Sequence, residues 1–83
     1  MSEVNYEKFV ADLIKPLVIH PGDVVVTTLS EEDDLITLQV MVNPDDLGRV
    51  IGKKGRVANS VRTLAYACAA RNGKKINVLI DSF

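Results

Sequence analysis

Tryptophan is absent from this chain, its aromatics are two Phe and two Tyr, and cysteine and histidine occur once each. Each scarcity excludes something. Tyr6 and Phe9 fall on the first predicted helix, so no platform of stacked aromatics of the RRM or OB-fold kind is expected. Tyr66 lies on a later helix, off its main apolar stripe. A single cysteine forms no internal disulfide, and the apolar surroundings of Cys68 make it a small buried hydrophobe. A Cys–His nucleophilic pair would need a reactive, exposed Cys68. With His20 the only histidine and no other soft ligand, no metal site is expected. His20 precedes Pro21 at a helix end and reads as a C-terminal cap. The longest uninterrupted apolar run, Leu64–Ala70, is far short of the ~20 residues that cross a bilayer. The sequence begins Met-Ser-Glu-Val-Asn-Tyr-Glu, with neither a basic region nor an apolar core, so no secretory or transit peptide is expected. These features favour a reducing, cytoplasmic setting.

What remains is enough for one domain over residues 1–83. Hydrophobic residues make up 47% and charged residues 25%, a globular composition that builds one small core. Acid and base are segregated. Gly48–Ile80 holds Arg49, Lys53, Lys54, Arg56, Arg62, Arg71, Lys74 and Lys75 and no acid, whereas all acids but Asp81 lie at or before Asp46. The net charge of −1 therefore hides a basic half, and a polyanion responds to local charge. The carboxylate clusters, Glu31–Asp34 and Asp45–Asp46, read as a polar turn and a helix cap, hence as solvated surface. General acid–base work needs carboxylates in distinct environments, so the chain does not read as an enzyme, and no cofactor is implied. A P-loop would need glycine at Leu47 and a hydroxyl at Lys54. A dinucleotide fingerprint fails because no Gly-x-Gly precedes Gly55 and the turn follows a helix.

The periodicity lays out six elements. Tyr6, Phe9, Val10, Leu13, Ile14 and Leu17 form a helical stripe from about Asn5 to Val18. Pro16 should tighten its last turn, and His20-Pro21-Gly22 stops it. Val24–Leu29 is β-branched and predicts a strand. Ser30–Asp34 predicts a polar turn. Leu35–Val42 alternates, with Ile36, Leu38, Val40 and Val42 on one face, and predicts the antiparallel partner. Asn43-Pro44-Asp45-Asp46 predicts a capped start to a short helix. Val57, Val61, Leu64, Ala65, Cys68 and Ala69 stripe a longer helix that ends near Ala70 before Asn72-Gly73. Ile76–Ile80 is a last strand. The order is α-β-β-α-α-β, an α+β sandwich with helices on one face of a three-stranded sheet.

Between the last two helices stands Val50-Ile51-Gly52-Lys53-Lys54-Gly55-Arg56. Glycine lets a ligand approach the backbone closely. The turn leads into a helix N-terminus, where unpaired N–H groups and the dipole favour an anion. Lys53 and Lys54 add positive charge, suited to holding a phosphate backbone rather than reading bases. Val50 and Ile51, with Ile36, Leu38 or Val40 of the strand, are expected to line an apolar groove for splayed bases. Arg49, Arg56 and Arg62 are candidate supporting phosphate contacts. A Gly-x-x-Gly spacing alone also suits an ordinary tight αα-corner. The specificity comes from the Val-Ile prefix, the lysine pair and the strand–strand–helix order before it.

On these residues, and on the leading helix ending Lys15-Pro16-Leu17-Val18, the chain resembles a type II KH domain over nearly its full length. It is most similar to the small stand-alone bacterial KH proteins of the KhpA family. The resemblance implies a mixed sheet covered on one face by three helices, and a cytoplasmic protein that clamps short single-stranded RNA segments in its Gly-x-x-Gly loop. It further implies homodimers, pairing with a larger KH partner bearing a Jag-type domain, and RNA chaperone or post-transcriptional control of cell elongation and division. Alanines around the Arg56–Arg71 helix permit close helix approach, so this helix, with Val57, Val61 and Ala65, is the candidate dimer surface; the same alanines also suit a helix that simply packs on the sheet. The rival reading is a dimerising adaptor for a larger protein, with weak or incidental nucleic-acid binding. Nothing in the residues reads a 2′-hydroxyl, so single-stranded DNA also stays open.

Overall fold

Asn5 opens the described part of the fold. In the computed structural model, which describes residues 5–83, Asn5 Oδ1 accepts the Lys8 N–H at 3.0 Å and caps α1, Tyr6–Ile14. Met1–Val4, on which the expectation of no secretory or transit peptide partly rests, lie outside the described residues. α1 buries Tyr6, Val10 and Ile14. It stops earlier than the sequence pattern predicts, because Pro16 converts Lys15–Leu17 to a 3-10 turn. A second 3-10 turn, Pro21–Asp23, leads to the sheet.

The first strand, β1, spans Val25–Glu32 and the second, β2, Leu35–Val42. They pair antiparallel, with a register shift between Thr28 and Ser30. The predicted five-residue turn shrinks to Asp33 and Asp34, with φ of 49° and 66°. Two positive-φ residues in a row make the primed turn whose twist suits a two-residue hairpin, and Asp tolerates that region better than most side chains. Ser30–Glu32 are thereby drawn into the strand.

Leading out of β2, Asn43 Oδ1 accepts the Asp45 N–H at 2.9 Å, and Pro44–Asp46 form a 3-10 turn. The short helix α2 spans Leu47–Ile51. After the Lys53–Gly55 turn, α3 runs from Arg56 to Ala70. The third strand, β3, spans Lys75–Ser82 and pairs parallel with β2 along its whole length, giving the sheet order β1-β2-β3. Parallel neighbours need a crossover connection, and α2 and α3 supply it. The sheet is thus mixed, with β1 and β3 as its edges.

α1 packs on β1, α3 on β3, and the two helices on each other. The core between layers is Tyr6, Val10 and Ile14 of α1, Ile36, Leu38, Val40 and Val42 of β2, Val50, then Val61, Ala65 and Ala69 of α3, and Ile76 and Val78 of β3. The strict alternation predicted for β2 is its burial pattern. Three residues of the predicted α3 stripe, Val57, Leu64 and Cys68, are not fully buried. Val57 is half-buried, Leu64 half exposed and Cys68 only partly buried. Among the described residues no helix is long and apolar enough to cross a membrane.

Candidate nucleic-acid interface

The turn between α2 and α3 is built from backbone conformations that few residues adopt. Gly52 has φ 77° and ψ 173°, a region occupied almost solely by glycine. A Cβ there would sit 2.4 Å from Val57 Cγ2 and 2.9 Å from the Val57 backbone N. Lys54 (φ 57°) and Gly55 (φ 75°) are left-handed. A Cβ on Gly55 would meet nothing closer than the Asn59 Nδ2 at 4.0 Å. The two glycines therefore have different origins. Gly52 is required by the packing of the turn against α3, whereas Gly55 is required only by its own dihedral and leaves open space beside it.

The backbone bonds of the turn are short-range. The Gly52 N–H donates to the Gly48 carbonyl at 2.8 Å, and the Gly55 N–H to the Gly52 carbonyl at 3.1 Å. The Arg56 N–H donates to the Lys53 carbonyl. α3 starts at Gly55 with no side-chain cap. Lys53, Lys54 and Arg56 are exposed. Lysine charge, glycine backbone open to close approach and a helix start without a side-chain cap together make a site for an anion.

The supporting arginines divide. Arg49, exposed on α2, donates from Nη1 to the Asp45 carbonyl at 2.9 Å and lies 3.8 Å from the Asp46 carboxylate. It flanks the turn with its charge partly engaged. Arg62 is half-buried, and its Nε donates to the Val78 carbonyl at 3.1 Å, tying α3 to β3. Its first task is structural.

The expected apolar groove is not formed by the residues named for it. Val50, Ile36, Leu38 and Val40 are all buried in the core, where the helices close on the apolar face of the sheet. Val50 therefore positions the turn from beneath and offers no side chain to a ligand. Ile51, 36% exposed, is the apolar side chain of the prefix that reaches the surface. The candidate dimer residues divide as well. Ala65 is fully buried and Val61 is 4% exposed, both on the core face of α3. Val57 is half-buried and, with Leu13, Leu17, Arg56, Ser60, Val61 and Leu64, lines an open groove of about 310 Å³. Leu17 and Leu64, at 41% and 50% exposed, are the side chains that present it to solvent.

Asp46 is the residue that sequence reasoning misjudged most. Expected as a solvated cap, it is fully buried. Its Oδ1 accepts the Ile19 N–H and its Oδ2 the His20 N–H, each at 2.9 Å. Burial alone would raise its pKa. The two N–H donors, with the His20 and Arg49 charges, overcome this and hold it below the usual 3.8. His20 accordingly caps nothing with its ring. Its N–H is the donor, and its imidazole lies 3.7 Å from the Asp45 carboxylate. No local signal marks Asp46, since its partners lie more than twenty residues upstream.

Charge segregation along the chain is also incomplete in space. The hairpin brings Asp34 to the far end of α3, where its carboxylate lies 3.6 Å from Lys74 Nζ and its carbonyl accepts the Lys75 N–H at 2.7 Å. The other end of α3, with Lys53, Lys54 and Arg56, stays basic. Among the described residues no cluster of His, Cys, Asp and Glu is arranged to hold a metal.

A family profile described as KhpA/KhpB, KH domain, matches residues 7–80. The chain belongs to this family. Among its relatives, the RNA-binding protein KhpA of Listeria monocytogenes is 47% identical over 74 residues, covering 89% of this chain and 96% of that protein. The RNA-binding protein KhpA of Bacillus subtilis is 37% identical over 76 residues, covering 92% and 93%. Among solved structures, Era of Aquifex aeolicus bound to GDP.AlF4- superposes with a TM-score of 0.74 at 14% identity, over 99% of this chain. Era in complex with MgGDPNP and nucleotides 1506–1542 of 16S ribosomal RNA superposes with a TM-score of 0.69 at 16% identity, over 93%. The chain spans about a third of those Era chains, 33% and 29%, and the likeness shows a shared KH fold.

Proposed function

We propose that this KhpA/KhpB-family chain binds single-stranded RNA, clamping the sugar–phosphate backbone at Gly52–Gly55. The observation that carries the reading is the turn itself. It exposes two lysines between two positive-φ glycines, at the start of α3, which has no side-chain cap. The names of its relatives, RNA-binding proteins with near full-length coverage, support the choice of RNA. Lys53, Lys54 and Arg56 hold phosphates, Arg49 adds charge from the side, and Ile51 offers an apolar contact. No step is catalytic. A site of about four nucleotides with little stacking gives modest affinity, so the protein works as a dimer, alone or with a larger KH partner of the Jag type. In the cytoplasm it would act as an RNA chaperone or post-transcriptional regulator of cell elongation and division.

The test is fluorescence anisotropy with a labelled single-stranded RNA pool, comparing wild type with the double variant Lys53→Asp/Lys54→Asp. Both side chains are exposed, and Asp tolerates the left-handed backbone at position 54, so circular dichroism should show an unchanged fold. Binding is expected to fall at least tenfold. Binding kept within twofold in the folded variant refutes the clamp. No binding by wild type favours the adaptor, in which the KH fold serves a protein partner.

A further inference from the structure

We infer that the pocket at the far end of α3 is a second nucleotide subsite, in which Tyr66 stacks on a base of the RNA strand leaving the Gly52–Gly55 turn. The inference rests on the RNA-binding reading above. The pocket measures about 310 Å³ and is lined by Tyr66, Ala70, Lys74, Lys75 and Ile76. That is the small end of ligand clefts, about 300–1,000 Å³, with room for one planar group.

Three observations place it on the path of the strand. Gly55, Asn59, Arg62, Tyr66 and Ala70 recur at spacings of four, three, four and four, so they form one stripe of α3 running away from the turn. Arg62 of that stripe bonds the Val78 carbonyl of β3, so the stripe faces the outer edge of the sheet. Tyr66 follows one helical turn later, roughly 16 Å from Gly55 at 1.5 Å per residue, beyond the contacts of the turn. Tyr66 is 46% exposed, and an aromatic face beside a basic rim is the arrangement by which single strands are held through stacking.

The chemistry of the pocket matches a nucleotide. Tyr66 supplies the face. Strand directions repeat every two residues, so Ile76 turns its N–H and C=O to the same open edge as Val78, where a base edge can bond them. Lys74 and Lys75 supply charge for the phosphate. Lys74 is shared with the exposed Asp34 carboxylate at 3.6 Å, which weakens its pull but leaves its other donors available.

Intrinsic fluorescence gives a direct test, because the chain has no tryptophan and only two tyrosines, of which Tyr6 is buried at 9% exposure. Wild type, Tyr66→Phe, Tyr66→Ala and Lys53→Asp/Lys54→Asp are titrated with a random-sequence single-stranded RNA pool by anisotropy and by tyrosine emission, with melting curves for each. The proposal expects emission to be quenched on binding in wild type and not in Tyr66→Phe. It expects near wild-type affinity for Tyr66→Phe, and about five- to tenfold weaker binding for Tyr66→Ala. RNA binding lost in the lysine variant but equal in wild type and Tyr66→Ala, with unquenched emission, overturns the subsite and leaves the clamp standing. Failure of wild type to bind RNA overturns both.

Discussion

Gly52 and Gly55 look alike in the motif but carry different physical demands, and substitution separates them. At Gly52 any side chain meets Val57 side chain and backbone atoms at 2.4 to 2.9 Å, in a dihedral region that L-residues avoid. Gly52→Ala should lower unfolding stability by roughly 2–5 kcal/mol, combining backbone strain with overpacking. Gly55→Ala has space for its methyl and suffers only the left-handed φ, about 1–2 kcal/mol. Urea denaturation of the two variants should therefore rank them clearly. Equal losses would show that the contact with Val57 relaxes freely. Gly55→Ala then becomes the useful functional variant: it is expected to stay folded and brings a methyl group to the surface that an RNA strand would approach if the proposed clamp is right. Gly52→Ala tests only folding.

At the scale of elements, Asp46 joins the Ile19–His20 segment after α1 to the start of α2 through two charge-assisted bonds. Its pKa is depressed in the folded state, so the unfolded chain takes up the proton first. The contribution is fully present above the usual value of 3.8 and is lost as pH falls through the lower folded value. Urea midpoints of wild type should thus fall steeply below pH about 4. Asp46→Asn, which keeps the shape but loses the charge, should start lower at pH 7 and show a shallower acid slope. What remains of that slope includes Asp12, whose carboxyl the hydrogen-bonded Lys8 ammonium also holds down. An unchanged slope in the variant would remove Asp46 from the account. Asp46 also shows why elements were legible in the sequence and their joints were not. The β2 alternation, the α3 stripe and the Gly-Lys-Lys-Gly turn are local patterns, set by period and by glycine, and each lies where the residues place it. Asp46 and Arg62 act on backbone groups of distant segments, so only the assembled chain reveals that one is a buried staple and the other a tie to β3. Val50 was read as ligand-facing because it adjoins the turn, but a five-residue helix turns one side inward, and Val50 is on that side. The polar run Ser30–Asp34 predicts a five-residue turn, but Ser30–Glu32 are strand, since an edge strand exposed there to solvent accepts polar residues.

At the scale of the whole molecule, one face of the helical layer is unfinished. α1 and α3 meet with Leu17 and Leu64 still open to solvent and Val57 half-covered between them. A second copy laid against this groove would cover those side chains with its own, and α3 would carry the two RNA turns on the same particle. Val61 and Ala65, though on the same helix, belong to the core, so Val61→Glu would unfold the chain and say nothing about assembly. Leu64→Glu is the informative change, since half of that side chain is already in water. Light scattering should report a two-chain mass for wild type and a one-chain mass for Leu64→Glu, with unchanged circular dichroism. The same variant should bind a short RNA that fills one turn as tightly as wild type. It should lose on the order of tenfold or more on an RNA long enough to reach both turns, because the second contact would no longer be intramolecular. A folded Leu64→Glu variant that keeps a two-chain mass would move the interface off this groove. A one-chain mass for wild type itself would mean that a single weak clamp must find its second contact on another protein.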